Sequence, residues 1–132
     1  MRRAALLISG LLLAAPARAE DQRATPFTSA QADQGAEVYR DHCAVCHGAN
    51  LDDAEFAPTL NGARFKRRWG GQSAAGLFAY MRSAMPPGQT GVLAPDDYAA
   101  VMAFLIRANG GTPGPETLPS DPEALGSLML PK

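Results

Sequence analysis

Apolar residues recur at helical spacing in three stretches of the chain. In the first, Gly35, Val38, Tyr39 and His42 fall at i, i+3, i+4 and i+7, on one helical face. Thr28 is suited to cap this helix, and Gln31 three residues on completes a capping box, predicting a helix over 28–42. The second stretch runs from the N-cap candidate Ser73 to about Ala84 and carries Leu77, Phe78, Tyr80, Met81 and Ala84 on its apolar face. Pro86 and Pro87 cannot continue it, and the residue before a proline is driven to extended backbone. Met85 is therefore expected to leave the helix onto a rigid loop. The third stretch, Pro95 to about Ala108, opens with proline at the first helical position. Asp96 and Asp97 lie in its positive first turn and Arg107 near its negative end. Tyr98, Val101, Met102, Leu105 and Ile106 form its stripe, and Asn109-Gly110-Gly111 stops it. Ala94 at its N-cap lacks a side-chain oxygen, which forgoes about 1 kcal/mol.

Gly35 inside a helix costs about 1 kcal/mol against alanine. Close approach of another helix would compensate, and the third helix is the natural partner for the Gly35/Tyr39 face. Residues 48–72 show no periodicity and read as a long loop rich in Gly, Asn, Asp and Pro. Residues 111–132 are Pro- and Gly-rich, with Asp121-Pro122-Glu123 able to start one short turn carrying Leu125, Leu128 and Leu130.

The first residues have the form of an export signal. Met1-Arg2-Arg3 is a positive start, Ala4 to Ala15 an apolar run short for a membrane span, and Ala17-Arg18-Ala19 a cleavage site. General secretion fits better than the twin-arginine route, and an uncleaved anchor is the alternative. The expected organisation is a signal peptide over 1–19, one domain over 20–110 and a tail over 111–132, with no membrane span left after cleavage. Losing residues 1–19 removes three arginines and no acid, leaving nine basic against 13 acidic residues, a formal −4. A mildly acidic exported chain is not a nucleic-acid binder. Its apolar supply is thin: nine aromatics among many Ala, Gly and Pro. A bound apolar cofactor would supply the missing interior.

The chemistry concentrates in Cys43-Ala44-Val45-Cys46-His47. Two thiols flank two small residues and an imidazole follows, the pattern for attachment of a c-type haem. Thioether bonds from Cys43 and Cys46 would hold the macrocycle and carry His47 under the iron. A zinc site needs more thiols or imidazoles than the two Cys and two His present. A thioredoxin-like redox pair wants a βαβ context that is missing here. A disulfide between residues three apart would constrain the unfolded chain little. His42, beside the tethered Cys43, is expected to face solvent. Met85 is the best second axial ligand, since thioether sulfur suits haem iron and His/Met ligation raises the reduction potential. Pro58 is read either as the carbonyl partner that orients His47 or as an ordinary loop proline. Arg64, Lys66, Arg67, Arg68 and Trp69 form a basic run ending in an aromatic. Arg64 or Trp69 suits a haem propionate; the run is equally able to dock an acidic partner or to be solvated.

With Gly35-x-x-x-Tyr39, Cys43-Ala-Val-Cys46-His47-Gly48, Ala57-Pro58-Thr59-Leu60-Asn61-Gly62, Met85-Pro86-Pro87-Gly88 and Ala103-Phe104-Leu105, the chain resembles the class I, monohaem cytochromes c. The resemblance covers about residues 29–110. It implies an all-α fold of about three main helices with long loops around one covalently attached haem c. It also implies a crossing of the first and last helices near Gly35 and Phe104, His47 and Met85 as axial ligands, and Pro58 as the proximal carbonyl. The Met-Pro-Pro-Gly loop and the stretch from Tyr98 to Gly110 are similar to small cytochromes that work beside periplasmic quinoprotein dehydrogenases. The expected function is a periplasmic electron carrier, not an enzyme, running between a dehydrogenase and a terminal oxidase or another cytochrome in a respiratory chain. The alternatives are a fixed cytochrome subunit of a dehydrogenase complex, or a five-coordinate haem sensor or enzyme in which Met85 does not bind.

Overall fold

The computed structural model describes residues 23–132; the signal-peptide reading of residues 1–19 lies outside them. The described residues hold six helical segments and one two-residue strand pair: β1 (Arg23–Ala24), α1 (Ser29–His42), α2 (Ala44–His47), α3 (Gly62–Trp69), α4 (Ala74–Ala84), α5 (Pro95–Ala108), α6 (Pro122–Gly126) and β2 (Leu128–Met129). The fold is all-α, as expected, and the three longest helices are those the periodicity predicts.

α1 and α5 are the frame. At Gly35 the two backbones meet so closely that a Cβ would lie 1.9 Å from the Ala100 carbonyl oxygen and 2.9 Å from the Val101 nitrogen. Beside this point the rings of Tyr39 and Phe104 pack with centroids 5.3 Å apart. α5 is buried almost all round, from Tyr98 through Ala103 and again at Leu105 and Ile106. Its small residues Ala99, Ala100 and Ala103 are what let neighbours approach on several sides. α4 contributes Leu77, Phe78 and Met81 to the same core, with Phe78 edge-on to Tyr98 at 6.5 Å. Fully burying a side chain such as Phe78 or Ile106 stabilises by roughly 1.5–3 kcal/mol.

The helix ends follow local chemistry, with two departures. Thr28 Oγ1 accepts the Gln31 N–H at 3.1 Å, and Ser73 Oγ accepts the Ala75 N–H at 3.2 Å. Gln31 does not close the capping box, however. Its amide donates to the Leu118 carbonyl at 2.9 Å and accepts the Leu118 N–H at 2.8 Å. A long-range partner with both a donor and an acceptor to offer outcompetes the single N–H of Thr28. The second departure is α3, which occupies the stretch expected to be a loop. Only two turns long, it buries Phe65 and Trp69 four residues apart, and its other positions are small or basic. Two apolar residues give too little repeat for a periodic signal.

The last twenty residues strap the domain. Asp121 caps α6 through the Ala124 N–H at 2.9 Å, and Leu118, Leu125, Leu128 and Leu130 are buried in the common core. β2 pairs in parallel with β1 in the register Arg23 to Leu128 and Ala24 to Met129, and Thr25 Oγ1 donates to the Met129 carbonyl at 2.6 Å. On the other side the Leu130 N–H reaches the Gln72 carbonyl at 2.9 Å. Residues 23–25, the tail and the α3–α4 turn are thus sewn together. No helix among the described residues is long and apolar enough to cross a membrane.

The Gly35 contact is directly testable. Gly35→Ala should destabilise the protein by about 1–3 kcal/mol in chemical denaturation, because the overlap with Ala100 outweighs the roughly 1 kcal/mol of helix propensity gained. A variant as stable as wild type would show that the helices do not cross there at backbone contact.

Candidate functional site, a haem-attachment turn and its supports

The Cys43-to-His47 segment is a single tight turn continuing from α1. The Cys43 N–H closes α1 on the Tyr39 carbonyl at 2.8 Å, and the His47 N–H returns to the Cys43 carbonyl at 2.9 Å. No disulfide joins Cys43 and Cys46. Cys43 is half-buried, and burial, helped by the neighbouring Cys46, pushes its pKa up to about 11. Cys46 is exposed, and Val45 between them is 88% exposed. The turn therefore faces outward, with one thiol set into the protein and one at its surface.

After His47 the chain reverses at Gly48, whose φ of +80° suits glycine; a Cβ there would meet Asp53 Oδ1 at 2.0 Å. The Gly48 carbonyl accepts the buried Tyr39 hydroxyl at 2.6 Å, tying the turn back to the α1–α5 crossing. Burial, with Cys43 and Asp53 nearby, raises the Tyr39 pKa above its ordinary value, so the phenol stays a donor. Asp53 accepts both the backbone N–H and the side-chain amide of Asn50, at 3.0 and 2.8 Å. These bonds, the backbone one first, hold its carboxyl below the usual range.

His47 Nδ1 lies 2.9 Å from the Pro58 carbonyl oxygen. A carbonyl can only accept, so Nδ1 carries the hydrogen. Nε2 is then left with its lone pair, the form a metal ligand needs. The loop that presents Pro58 is itself anchored. The Leu60 N–H donates to the Leu51 carbonyl at 2.7 Å, and Asn109 Nδ2 donates to the Leu60 carbonyl at 2.9 Å and to the Leu105 carbonyl at 2.8 Å. Asn109 is 4% exposed, and its Oδ1 has no partner among the described residues. Leaving such an acceptor unmet costs about 1–3 kcal/mol. Exchanging the amide's O and N would be worse, because Oδ1 would then face two carbonyl oxygens.

Met85 terminates α4 in extended backbone, φ −128° and ψ 140°. Its carbonyl accepts the Tyr98 hydroxyl at 2.9 Å, and its side chain is half-buried. Met81 and Met102 are committed to the core, which leaves Met85 as the methionine at a loop with a fixed backbone. His42 is exposed. On α3, Arg64 and Trp69 do not share a face: Trp69 points in and stacks on Tyr80 at 5.4 Å, whereas Arg64 is exposed. The arginine beside Trp69 is Arg68, 4.3 Å over its ring. Tyr80, expected on the buried face of its helix, is 42% exposed and serves as the cover of Trp69.

Sequence reasoning passed over Tyr98 and Asn109 as site supports. Tyr98 sits in an apolar stripe and Asn109 in a stop signal, so each had a sufficient local explanation. The signal that marks them is a polar tip on a residue the pattern places inside, which must then find a partner.

The donor set fits a covalently held haem. Two thiols lie in one helical turn, and an imidazole with its Nδ1 already engaged and its Nε2 unengaged follows at once. No three of His, Cys, Asp and Glu gather into a metal-binding cluster among the described residues, so a tetrahedral zinc site lacks its ligands. A cleft of about 450 Å³ lies elsewhere, between Pro26 and the Gly114–Pro119 segment, and takes in none of these residues.

Residues 30–105 match the family described as cytochrome c oxidase, cbb3-type, subunit III. No curated protein sequence matches the chain. Among solved structures the chain is similar to the sulfane dehydrogenase SoxCD from Paracoccus pantotrophus, at 22% identity over 92% of this chain and 69% of that one, with a TM-score of 0.46. That likeness is too weak to say anything of partners or activity. The family match spans more than half of the chain and contains the whole attachment turn, the Pro58 loop and Met85, and the chain belongs to that family: it is a class I cytochrome c, a protein in which a covalently bound haem c transfers electrons.

Proposed function

We propose that this chain is a periplasmic carrier of single electrons, with one haem c bound through Cys43 and Cys46 and ligated by His47 Nε2 and Met85 Sδ. The observation that carries the reading is the 2.9 Å contact from His47 Nδ1 to the Pro58 carbonyl, which leaves the Nε2 lone pair available to a metal. The bound haem supplies a reversible Fe(III)/Fe(II) couple, and His/Met ligation places it at the higher range of potentials. The protein's part is to keep both ligands still. Pro58 fixes the imidazole plane, and Tyr98 holds the Met85 carbonyl, so neither ligand needs to move when charge changes. Were His47 and Met85 both to hold the iron, no position would remain on it for a substrate, which supports a carrier rather than an enzyme.

Trp69 suits the propionate role better than Arg64, because Trp69 is buried whereas Arg64 is exposed. Arg64 instead joins Arg67 and Arg68 at i, i+3 and i+4 on the exposed side of α3. None of the three is paired with a carboxylate among the described residues. On a chain whose mature form is acidic, this face is suited to an acidic redox partner, and the exposed turn at Cys46 is the port for the electron. A dehydrogenase of the quinoprotein kind as donor, and a terminal oxidase or another cytochrome as acceptor, complete the proposed route. The export signal read in residues 1–19 supports the periplasm as its setting.

Absorption spectra of the exported protein test the ligation. The reduced form should be low-spin and unmoved by carbon monoxide, and the oxidised form should show a far-red sulfur–iron band that Met85→Ala abolishes. High-spin iron that binds carbon monoxide readily, indifferent to Met85→Ala, would instead make the chain a sensor or enzyme. For the docking face, Arg64→Glu with Arg67→Glu should slow second-order electron transfer to an acidic redox protein by about tenfold at low salt, the low end of steering effects. The difference should shrink as salt screens the charges. Equal rates at low salt would remove α3 from the interface.

A further inference from the structure

We infer that Asn109 is a positioning residue for His47, acting through the loop that carries the Pro58 carbonyl. The inference rests on the reading of His47 as an axial ligand. Asn109 stands just past the end of α5, where its own backbone N–H already closes the helix on the Leu105 and Ile106 carbonyls. Its side chain is therefore not needed to stop the helix. One of its two amide hydrogens goes to the Leu105 carbonyl and the other crosses to the Leu60 carbonyl, 49 positions back in sequence. Leu60 is two residues after Pro58, whose carbonyl accepts from His47 Nδ1 at 2.9 Å.

The Pro58-to-Leu60 segment has few other ties. The Leu60 N–H is held by the Leu51 carbonyl at 2.7 Å, and the Asn61 side chain reaches the Asn50 carbonyl at a long 3.4 Å. Both of those anchors belong to the same 48–61 loop. Among the described residues, Asn109 alone ties this segment by a side-chain hydrogen bond to the end of a long helix of the frame. The buried, unpartnered Oδ1 fits this role. The amide is oriented for its two donor bonds at the expense of its acceptor, which a residue serving only as a helix stop has no cause to do.

The consequence is electronic. An imidazole that donates firmly from Nδ1 is a more basic ligand, and a more basic ligand favours the oxidised iron. Loosening the Pro58 carbonyl weakens that donation, so the potential should rise. Asn109→Ser is the informative change, because a serine hydroxyl can still bond the carbonyl four residues back but is too short to reach Leu60. In the haem-loaded, full-length protein, Asn109→Ser should raise the reduction potential. It should also speed exchange of the His47 Nδ1 hydrogen by about two- to tenfold, the worth of one net hydrogen bond. Asn109→Thr has the same one-carbonyl reach and should behave alike. Asn109→Gln, which retains the amide donors, should bring both readouts back towards wild type. Leu125→Ala, a core truncation in α6, serves as the control for general loosening and should move stability but neither readout.

If Asn109→Ser and Asn109→Thr lower stability yet leave potential and exchange at wild-type values, Asn109 is only a packing residue and the inference is overturned. The same holds if Leu125→Ala moves both readouts equally. Should the wild-type spectra lack an imidazole ligand lost in His47→Ala, the ligation reading itself fails, and that result is separate from anything seen at position 109.

Discussion

Backbone contact between α1 and α5 at Gly35 and Ala100 sets the geometry on which the site depends. A single missing methyl allows it. Once the two helices are locked at that point, α1 delivers Cys43 at its C-terminal end, and the next turn carries Cys46 and His47. The two ends of α5 then do different work for the same site. Tyr98 in its first turn holds the Met85 carbonyl, and Asn109 beyond its last turn holds the Leu60 carbonyl. Tyr39 lies at the crossing itself, packing on Phe104 and donating to the Gly48 carbonyl just after His47. Frame and site are thus coupled by three hydrogen bonds from side chains whose bodies belong to the core.

The three long helices were legible because each has a full apolar stripe and a boundary residue with one strong meaning: Thr28, Ser73, or Pro95. The attachment turn was legible because two thiols and an imidazole in five residues serve few purposes. What escaped was whatever depends on partners distant in sequence. Gln31 fits a capping box, but Leu118 offers it two hydrogen bonds instead of one. α3 escaped because its inward face consists of two residues and its basic positions resemble a solvated run. Tyr80 was placed on the buried stripe of α4, yet its ring covers Trp69 at the surface. Local spacing cannot distinguish a residue that enters a core from one that roofs a neighbouring element.

The tail illustrates the same limit from the other side. Its Pro- and Gly-rich composition leaves open whether it lies along the domain or is disordered, and Leu118, Leu125, Leu128 and Leu130 sit in the common core. Isolated leucines separated by Pro and Gly cannot form a periodic face of their own. They add to a surface formed by residues 23–27 and the α3–α4 turn. A small domain with few large apolar residues gains much from this, since each additional buried leucine contributes roughly 1.5–3 kcal/mol. The strap covers ground away from the attachment turn, so the side of the domain around Cys46 keeps apolar groups in the open: Val45 at 88% exposure and Phe56 at 89%.

That asymmetry has a physical reading. Val45 and Phe56 stay uncovered while leucines from the tail are buried elsewhere; under the function proposed above, a haem edge and a partner's surface would complete the burial there. The same region has the chain's one outward-facing thiol and the loop that presents Pro58. A rigid frame on one side and an incomplete apolar surface on the other is what transient electron transfer requires. The ligands must stay where they are between oxidation states, whereas the contact with the partner must form and break quickly. In this chain the first demand is met by bonds from Tyr39, Tyr98 and Asn109, all rooted in the α1–α5 pair. For the second, Val45, Phe56 and the α3 arginines stand exposed, and a contact of so small an area would be of the transient kind.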